Sequence, residues 1–212
     1  MAKLSLQELT AQYSDMLREL GNIGAGNATS ALSQMLDLKL DMYVPEVRLL
    51  EFKDVGSAMG GADQIMVGIY LMVEGDIDGS MMFLLDTPSA RRLVNILMST
   101  PDNNEETFTE IELSALKEIG NIITGAYLNS LSMMTNLAIV PSVPYVSVDM
   151  LGAILSVPAI AFGTEADEIL LIDTQFAADV KLDGYFVMLP DLESYAKILK
   201  ALGMGEYEIT GH

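Results

Sequence analysis

Apolar residues recur at helical spacing over roughly residues 5 to 36 and again over 107 to 135. Each stretch predicts one long helix. Behind each comes a run rich in β-branched residues, MYVPEVRLLEF (42 to 52) and AIVPSVPYVSV (138 to 148), that reads as a strand. A hairpin follows in both places. Residues 65–75 and 80–86 flank Asp78-Gly79, and 168–176 and 185–190 flank Asp183-Gly184. An Asp-Gly pair between apolar runs is a strong turn signal. Short amphipathic helices, 89–98 and 192–203, close the two series. Antiparallel strands packed by helices imply an α+β fold. The expected architecture is internally duplicated: a pseudo-two-fold arrangement of antiparallel strands, two long helices and two shorter C-terminal repeat helices. A single domain over 1–212 would hold both repeats, about 5–100 and 107–204, joined by the polar segment 99–110.

The polar residues repeat too. Asp15, Glu19, Asn22 and Pro45 recur 99 positions later as Ser114, Glu118, Asn121 and Pro144. Gly26 matches Gly125 at the same offset, and Leu32 matches Leu131. A repeated core requires only repeated apolar residues, so a repeated polar set points to two copies of one working surface. The offset later grows to 105, where Asp78-Gly79 matches Asp183-Gly184. The second copy inserts MLGAILSVPAIAFG (150 to 163) after its strand. Its start reads as an extra short helix with no counterpart in the first copy.

At about 100° per residue, Glu19 falls 40° and Asn22 340° from Asp15 on a helical wheel. Asp15, Glu19 and Asn22 form one narrow stripe, as do Ser114, Glu118 and Asn121. Gly26 and Gly125 fall on the same stripes, where a missing side chain lets another backbone approach. Arg18 and Lys117 are assigned to a different face. Asn offers an amide donor and a carbonyl acceptor and neither gives nor takes a proton at neutral pH. Such a group can position a water molecule. A Glu one turn away offers a fixed charge for a Lys or Arg on a partner. Taken singly, the Glu also reads as a solvated charge and the Asn as an interhelical contact; the duplication favours function.

Charge and composition narrow the classes. The formal net charge is -19, from 11 Lys and Arg against 30 Asp and Glu. Nucleic-acid binding needs a basic footprint, so no nucleic-acid partner is expected. Cysteine is absent and the one histidine is His212, which argues against thiolate chemistry, Ser-His catalysis and His-based metal sites. No metal site is assigned to the chain. No apolar run of about 18 residues exists, so no transmembrane segment is expected. The first twenty residues lack a signal-peptide core, and a cytoplasmic protein is the expectation.

The spacing [D/S]-x3-E-x2-N-x22-P, present from Asp15 to Pro45 and from Ser114 to Pro144, resembles the signature of the CheC family of chemotaxis phosphatases, which includes CheX and the flagellar switch protein FliY. With both copies intact and no room for a switch-binding domain, the chain resembles CheC proper more than its relatives. The resemblance implies removal of phosphate from the phospho-aspartate of the response regulator CheY. On that likeness Glu19 and Glu118 bind a regulator Lys, and Asn22 and Asn121 orient the attacking water. Asp15, Ser114, Pro45 and Pro144 support them. Mg²⁺ would come with the regulator, and the chain would need no cofactor of its own. The resemblance also implies binding of the receptor deamidase CheD, with Asp149 in the contact region. Asp149 stands where the repeat has Leu50, and it equally fits the N-cap of the inserted helix. A non-catalytic adaptor that sequesters CheD or the regulator is the alternative.

Overall fold

A computed structural model describes residues 6–37, 39, 41–43, 47–101, 105, 107–162, 168–177 and 181–203. The first half contains α1 (Leu6–Leu36), β1 (Asp41–Tyr43), β2 (Val47–Glu51), α2 (Phe52–Ala58), β3 (Ile65–Gly75), β4 (Gly79–Asp86) and α3 (Thr87–Met98). The second contains α4 (Glu110–Thr135), β5 (Ile139–Pro141), β6 (Tyr145–Met150), α5 (Leu151–Phe162), β7 (Glu168–Ala177), β8 (Lys181–Pro190) and α6 (Leu192–Ala201).

Among the described residues all eight strands join one sheet, ordered β1-β7-β8-β4-β3-β5, with β2 also on β7 and β6 also on β3. Every pairing is antiparallel. The first strand of each half therefore leaves its own hairpin and completes the other's. Val47 pairs with Ile172, and Val146 pairs with Ile69. At the sheet centre β4 runs against β8, with Met82 opposite Val187 and Gly79 opposite Pro190.

The period-two alternation of these strands sends side chains to two cores. Val67, Ile69, Leu71, Phe83, Leu85 and Phe186 face the long helices and pack with Leu116, Ile119, Ile123 and Tyr127 of α4. Met66, Met82, Leu84, Leu171 and Val187 face the other way, under α2 and α5. The long helices run side by side, and Asn27 Nδ2 on α1 donates to Ser130 Oγ on α4 at 2.8 Å.

Several sequence expectations need correction. Each expected first strand is split, into β1 and β2 and into β5 and β6, and Phe52 already belongs to α2. The inserted helix has a counterpart after all: Phe52 and Leu151, the first residues of α2 and α5, are 99 positions apart. What differs is length. α5 continues through the buried Pro158 to Phe162, where α2 stops at Ala58. Asp78-Gly79 does end a turn, since Gly79 opens β4. Asp183-Gly184 does not, because it lies inside β8 opposite Gln175 and Thr174. Residues 178–180, between β7 and β8, lie outside the described residues. Gly184 has a packing reason instead: a Cβ there would meet the Phe83 ring at 3.0 Å and Leu85 at 3.1 Å.

Candidate functional site

The second signature sits on a helix that is fixed at its start. Thr109 caps α4 in a capping box: its hydroxyl accepts from the Glu112 N–H, and the Glu112 carboxylate accepts from the Thr109 N–H at 2.7 Å. Two of the free N–H groups of the first turn are thereby satisfied. Arg91 on α3 reinforces the start from outside. Its guanidinium is buried, pairs with Glu112, and donates to the carbonyls of Glu105 and Thr107. It also lies over the Phe108 ring, 4.2 Å from the centroid. The Thr109 N–H, with the Arg91 hydrogen bond second, holds the Glu112 carboxyl below the usual carboxylate range.

From that start the helix presents its stripe to solvent. Ser114, Glu118 and Asn121 are all exposed. Ile119, Gly120 and Ile123, on the opposite face, are buried against the sheet. At Gly120 the helix lies close on the sheet, since a Cβ there would stand 2.5 Å from Ile69 Cδ1. The Ser114 hydroxyl donates back to the Glu110 carbonyl at 2.9 Å, leaving Glu118 and Asn121 as the outward polar groups.

Beside the stripe lies a shallow, open depression of about 350 Å³. Ser114, Lys117, Glu118 and Asn121 form one wall, and the bend from Pro141 to Pro144 forms the other. The signature proline is thus brought to the signature helix; Pro144 is buried while Val143 beside it is exposed. Ser142 fixes the bend: its N–H donates to the Met72 carbonyl and its hydroxyl accepts from the Met72 N–H, both at 2.9 Å. Sequence reasoning missed Pro141 to Val143, although the proline pair at 141 and 144 signals a rigid bend. It also placed Lys117 on a different face. At 300° on the wheel Lys117 borders Asn121, and it lines the same depression.

The first signature has the same outward character. Glu19 and Asn22 are exposed on α1, and Gly21 between them is buried. Asp15 lies on the same helix. Pro45 lies outside the described residues. Neither stripe glycine serves a close approach within the chain, because a Cβ on Gly26 or Gly125 would meet nothing within 4 Å. Gly24 does that work on α1, where a Cβ would meet the Tyr127 ring at 2.8 Å.

Asp149 is separate from both stripes. It is exposed near the end of β6, paired across to Met66. Its carboxylate accepts from the Met150 N–H at 2.7 Å and makes no bond to the first turn of α5. The helix start is satisfied otherwise: Leu151 and Gly152 donate to the Gln64 and Ala62 carbonyls, both at 2.8 Å. The N-cap reading of Asp149 is therefore overturned. Among the described residues no group of three or more acidic or histidine side chains is arranged to hold a metal ion. No described helix is long and apolar enough to cross a membrane.

Comparison with known proteins converges on one family. The model of the CheC-like family matches residues 14–48 and 111–148, the two segments that carry the signatures. The CheY-P phosphatase CheC of Bacillus subtilis (strain 168) is 40% identical over 194 residues, covering 89% of this chain and 93% of that protein. The putative CheY-P phosphatase CheC1 of Halobacterium salinarum is 23% identical over 187 residues, covering 88% and 94%. The X-ray structure of Thermotoga maritima FliY shares the fold, with a TM-score of 0.75 at 23% identity over 91% of this chain and 96% of that one.

Proposed function

The chain belongs to the CheC-like family, and we propose that it is a phosphatase that hydrolyses the phospho-aspartate of the response regulator CheY. The observation that carries this reading is the pairing of Glu118 and Asn121, exposed one turn apart on α4 and facing Pro144 across an open depression. Such a surface encloses no substrate of its own. It suits insertion into a site that already holds the reacting group.

The reaction needs little from this chain. A water oxygen bonds to phosphorus, the bond from phosphorus to the acyl oxygen breaks, and the aspartate carboxylate leaves with its electron pair. The water protons stay with the phosphate product or pass to solvent. An acyl phosphate is already activated, so holding the water in line supplies the acceleration. Each tenfold requires about 1.4 kcal/mol, within reach of one well-placed amide. Asn22 and Asn121 take that role. Glu19 and Glu118 dock to a Lys of the regulator. The depression offers one carboxylate, Glu118, and the Mg²⁺ of the reaction is the regulator's own.

Two further parts complete the reading. The halves are two copies of one unit about a pseudo-two-fold axis, folded as a single domain. The equal spacing of the signatures, the shared start of α2 and α5, and the reciprocal pairing of β2 with β7 and β6 with β3 support it. The chain acts in the cytoplasm, where it also binds CheD. Asp149 with the exposed Met150 next to it supplies a contact surface away from both stripes.

Decay of phosphorylated CheY is the test, with wild type, Asn22→Ala, Asn121→Ala and the double variant, with and without CheD. Faster decay with wild type that disappears in a folded double variant supports hydrolysis. An unchanged decay with wild type in both conditions rejects it in favour of an adaptor that sequesters CheD or the regulator.

A further inference from the structure

We propose that Lys117 is a specificity-determining residue of the second site, placing one positive charge against the anionic face of the phosphorylated regulator. This rests on the phosphatase reading and says what chemistry the depression selects. Three observations carry it. Lys117 lines the depression together with Glu118 and Asn121. It is partly buried there. Among the described residues it has no hydrogen bond or ion pair, not even with the adjacent Glu118.

An unpaired ammonium stands out on this chain. With 11 basic side chains against 30 acidic ones, the average surface repels an anion, and mismatched charge slows and weakens association. A receiver carrying an acyl phosphate and the carboxylates that hold its metal is such an anion. Lys117 lies one turn before Asn121, so the two side chains project side by side. A flexible stem lets the ammonium follow the phosphoryl group or an acidic side chain beside it. The contact forms before and during reaction alike, so it governs affinity more than turnover.

The two sites are not electrostatically equal in sequence. Ser114, Lys117 and Glu118 sum to zero formal charge, whereas Asp15, Arg18 and Glu19 sum to one negative charge. Arg18 is exposed and already engaged by neighbouring groups. The cation of the second site is the one left available.

The test uses the full chain with Asn22→Ala, which isolates the second site. Lys117→Gln, Lys117→Arg and Lys117→Glu are added singly, with Lys197→Gln on the exposed face of α6 as a control of equal charge change. Turnover of phosphorylated CheY gives kcat and KM at low and high salt, and binding of beryllofluoride-activated CheY gives an affinity independent of hydrolysis. Lys117→Gln is expected to raise KM and Kd by about three- to tenfold with kcat nearly constant, and this loss relative to wild type shrinks as salt is raised. Lys117→Arg retains most of the affinity, Lys117→Glu loses more than Lys117→Gln, and Lys197→Gln changes little. Unchanged KM and Kd for Lys117→Gln overturns the proposal, as does an equal loss in Lys197→Gln. Wild type that binds activated CheY through Lys117 without hydrolysing it overturns the phosphatase reading and leaves the contact standing; wild type that neither binds nor hydrolyses overturns both.

Discussion

The phenol of Tyr127 on α4 donates to the backbone carbonyl of Gly21 on α1 at 2.7 Å, inside the first signature and between Glu19 and Asn22. The second signature helix therefore holds the first in place. Tyr127 is 4% exposed, and its ring packs against Phe186 with centroids 4.4 Å apart. Tyr127→Phe keeps that packing and removes one buried hydrogen bond, at a cost of about 1 kcal/mol. The urea midpoint should fall with an unchanged slope; an unaltered midpoint would show that the bond contributes nothing.

Burial also raises the proton affinity of this phenol above its ordinary value. An unfolded tyrosine loses its proton above about pH 10, while the folded one retains it. The stabilisation is complete below that pH and declines as pH rises beyond it. Tyr127→Phe should lessen the loss of stability above about pH 10, with Tyr70, also raised by burial, supplying a second part. Parallel alkaline denaturation curves for the two proteins would contradict this.

Arg91 and Glu112 form a buried pair, their side chains 4% and 14% exposed. Removing the cation takes the partner from one Glu112 oxygen and from two carbonyls, while the other Glu112 oxygen keeps its Thr109 bonds; the cost is up to about 3 kcal/mol. Arg91→Ala should lower the melting temperature sharply, and Arg91→Lys should recover only part, since a compact ammonium cannot reach three acceptors that the guanidinium meets from three separate nitrogens. The Glu112 carboxyl is held low in the folded state. Its contribution is present above the unfolded value near pH 4.3 and is lost as pH falls through the folded value. Glu112→Gln should thus flatten the acid limb of the stability curve.

The glycines of α4 separate stability from activity. Gly120→Ala forces a Cβ onto the fully buried Ile69 and should cost about 1–3 kcal/mol. Gly125→Ala meets nothing and gains helix propensity, up to about 1 kcal/mol. Because Gly125 lies on the stripe, the added methyl group should weaken regulator binding while the melting temperature rises. A Gly125→Ala protein that is both more stable and equally active would remove the stripe's C-terminal end from the contact surface.

Asp149 makes only a bond to its neighbour's N–H. Asp149→Ala should leave the melting temperature within a degree or two, since exposed changes of this kind cost less than about 0.5 kcal/mol. Its titration with CheD should show weakened binding. Wild-type affinity in Asp149→Ala would take this residue out of that interface.

Much of this was legible in the sequence because the two periodicities are strong. The long helices, both hairpins and the closing helices follow from apolar spacing, and the stripe follows from 3.6 residues per turn. What was not legible depended on contacts between distant segments. Asp183-Gly184 has the composition of a turn, yet Gly184 answers to the Phe83 ring across the sheet. Lys117 borders the stripe on the wheel, but only the bend from Pro141 to Pro144 turns that border into the wall of a depression. The helix α2 was hidden because Phe52 continues the apolar run of β2. The capping box at Thr109 and Glu112 has a local Thr-x-x-Glu signature, yet it was missed because the segment 99–110 reads as a polar junction.

The exchange of first strands has a cost in time. Val47 of β2 must wait for Ile172 of β7, so the nascent chain emerges with that strand unmatched. At about 5–20 residues per second this lasts roughly 6 to 25 seconds, far longer than a local hairpin takes to close. Until the last hairpin leaves the ribosome, the first half carries an open strand edge.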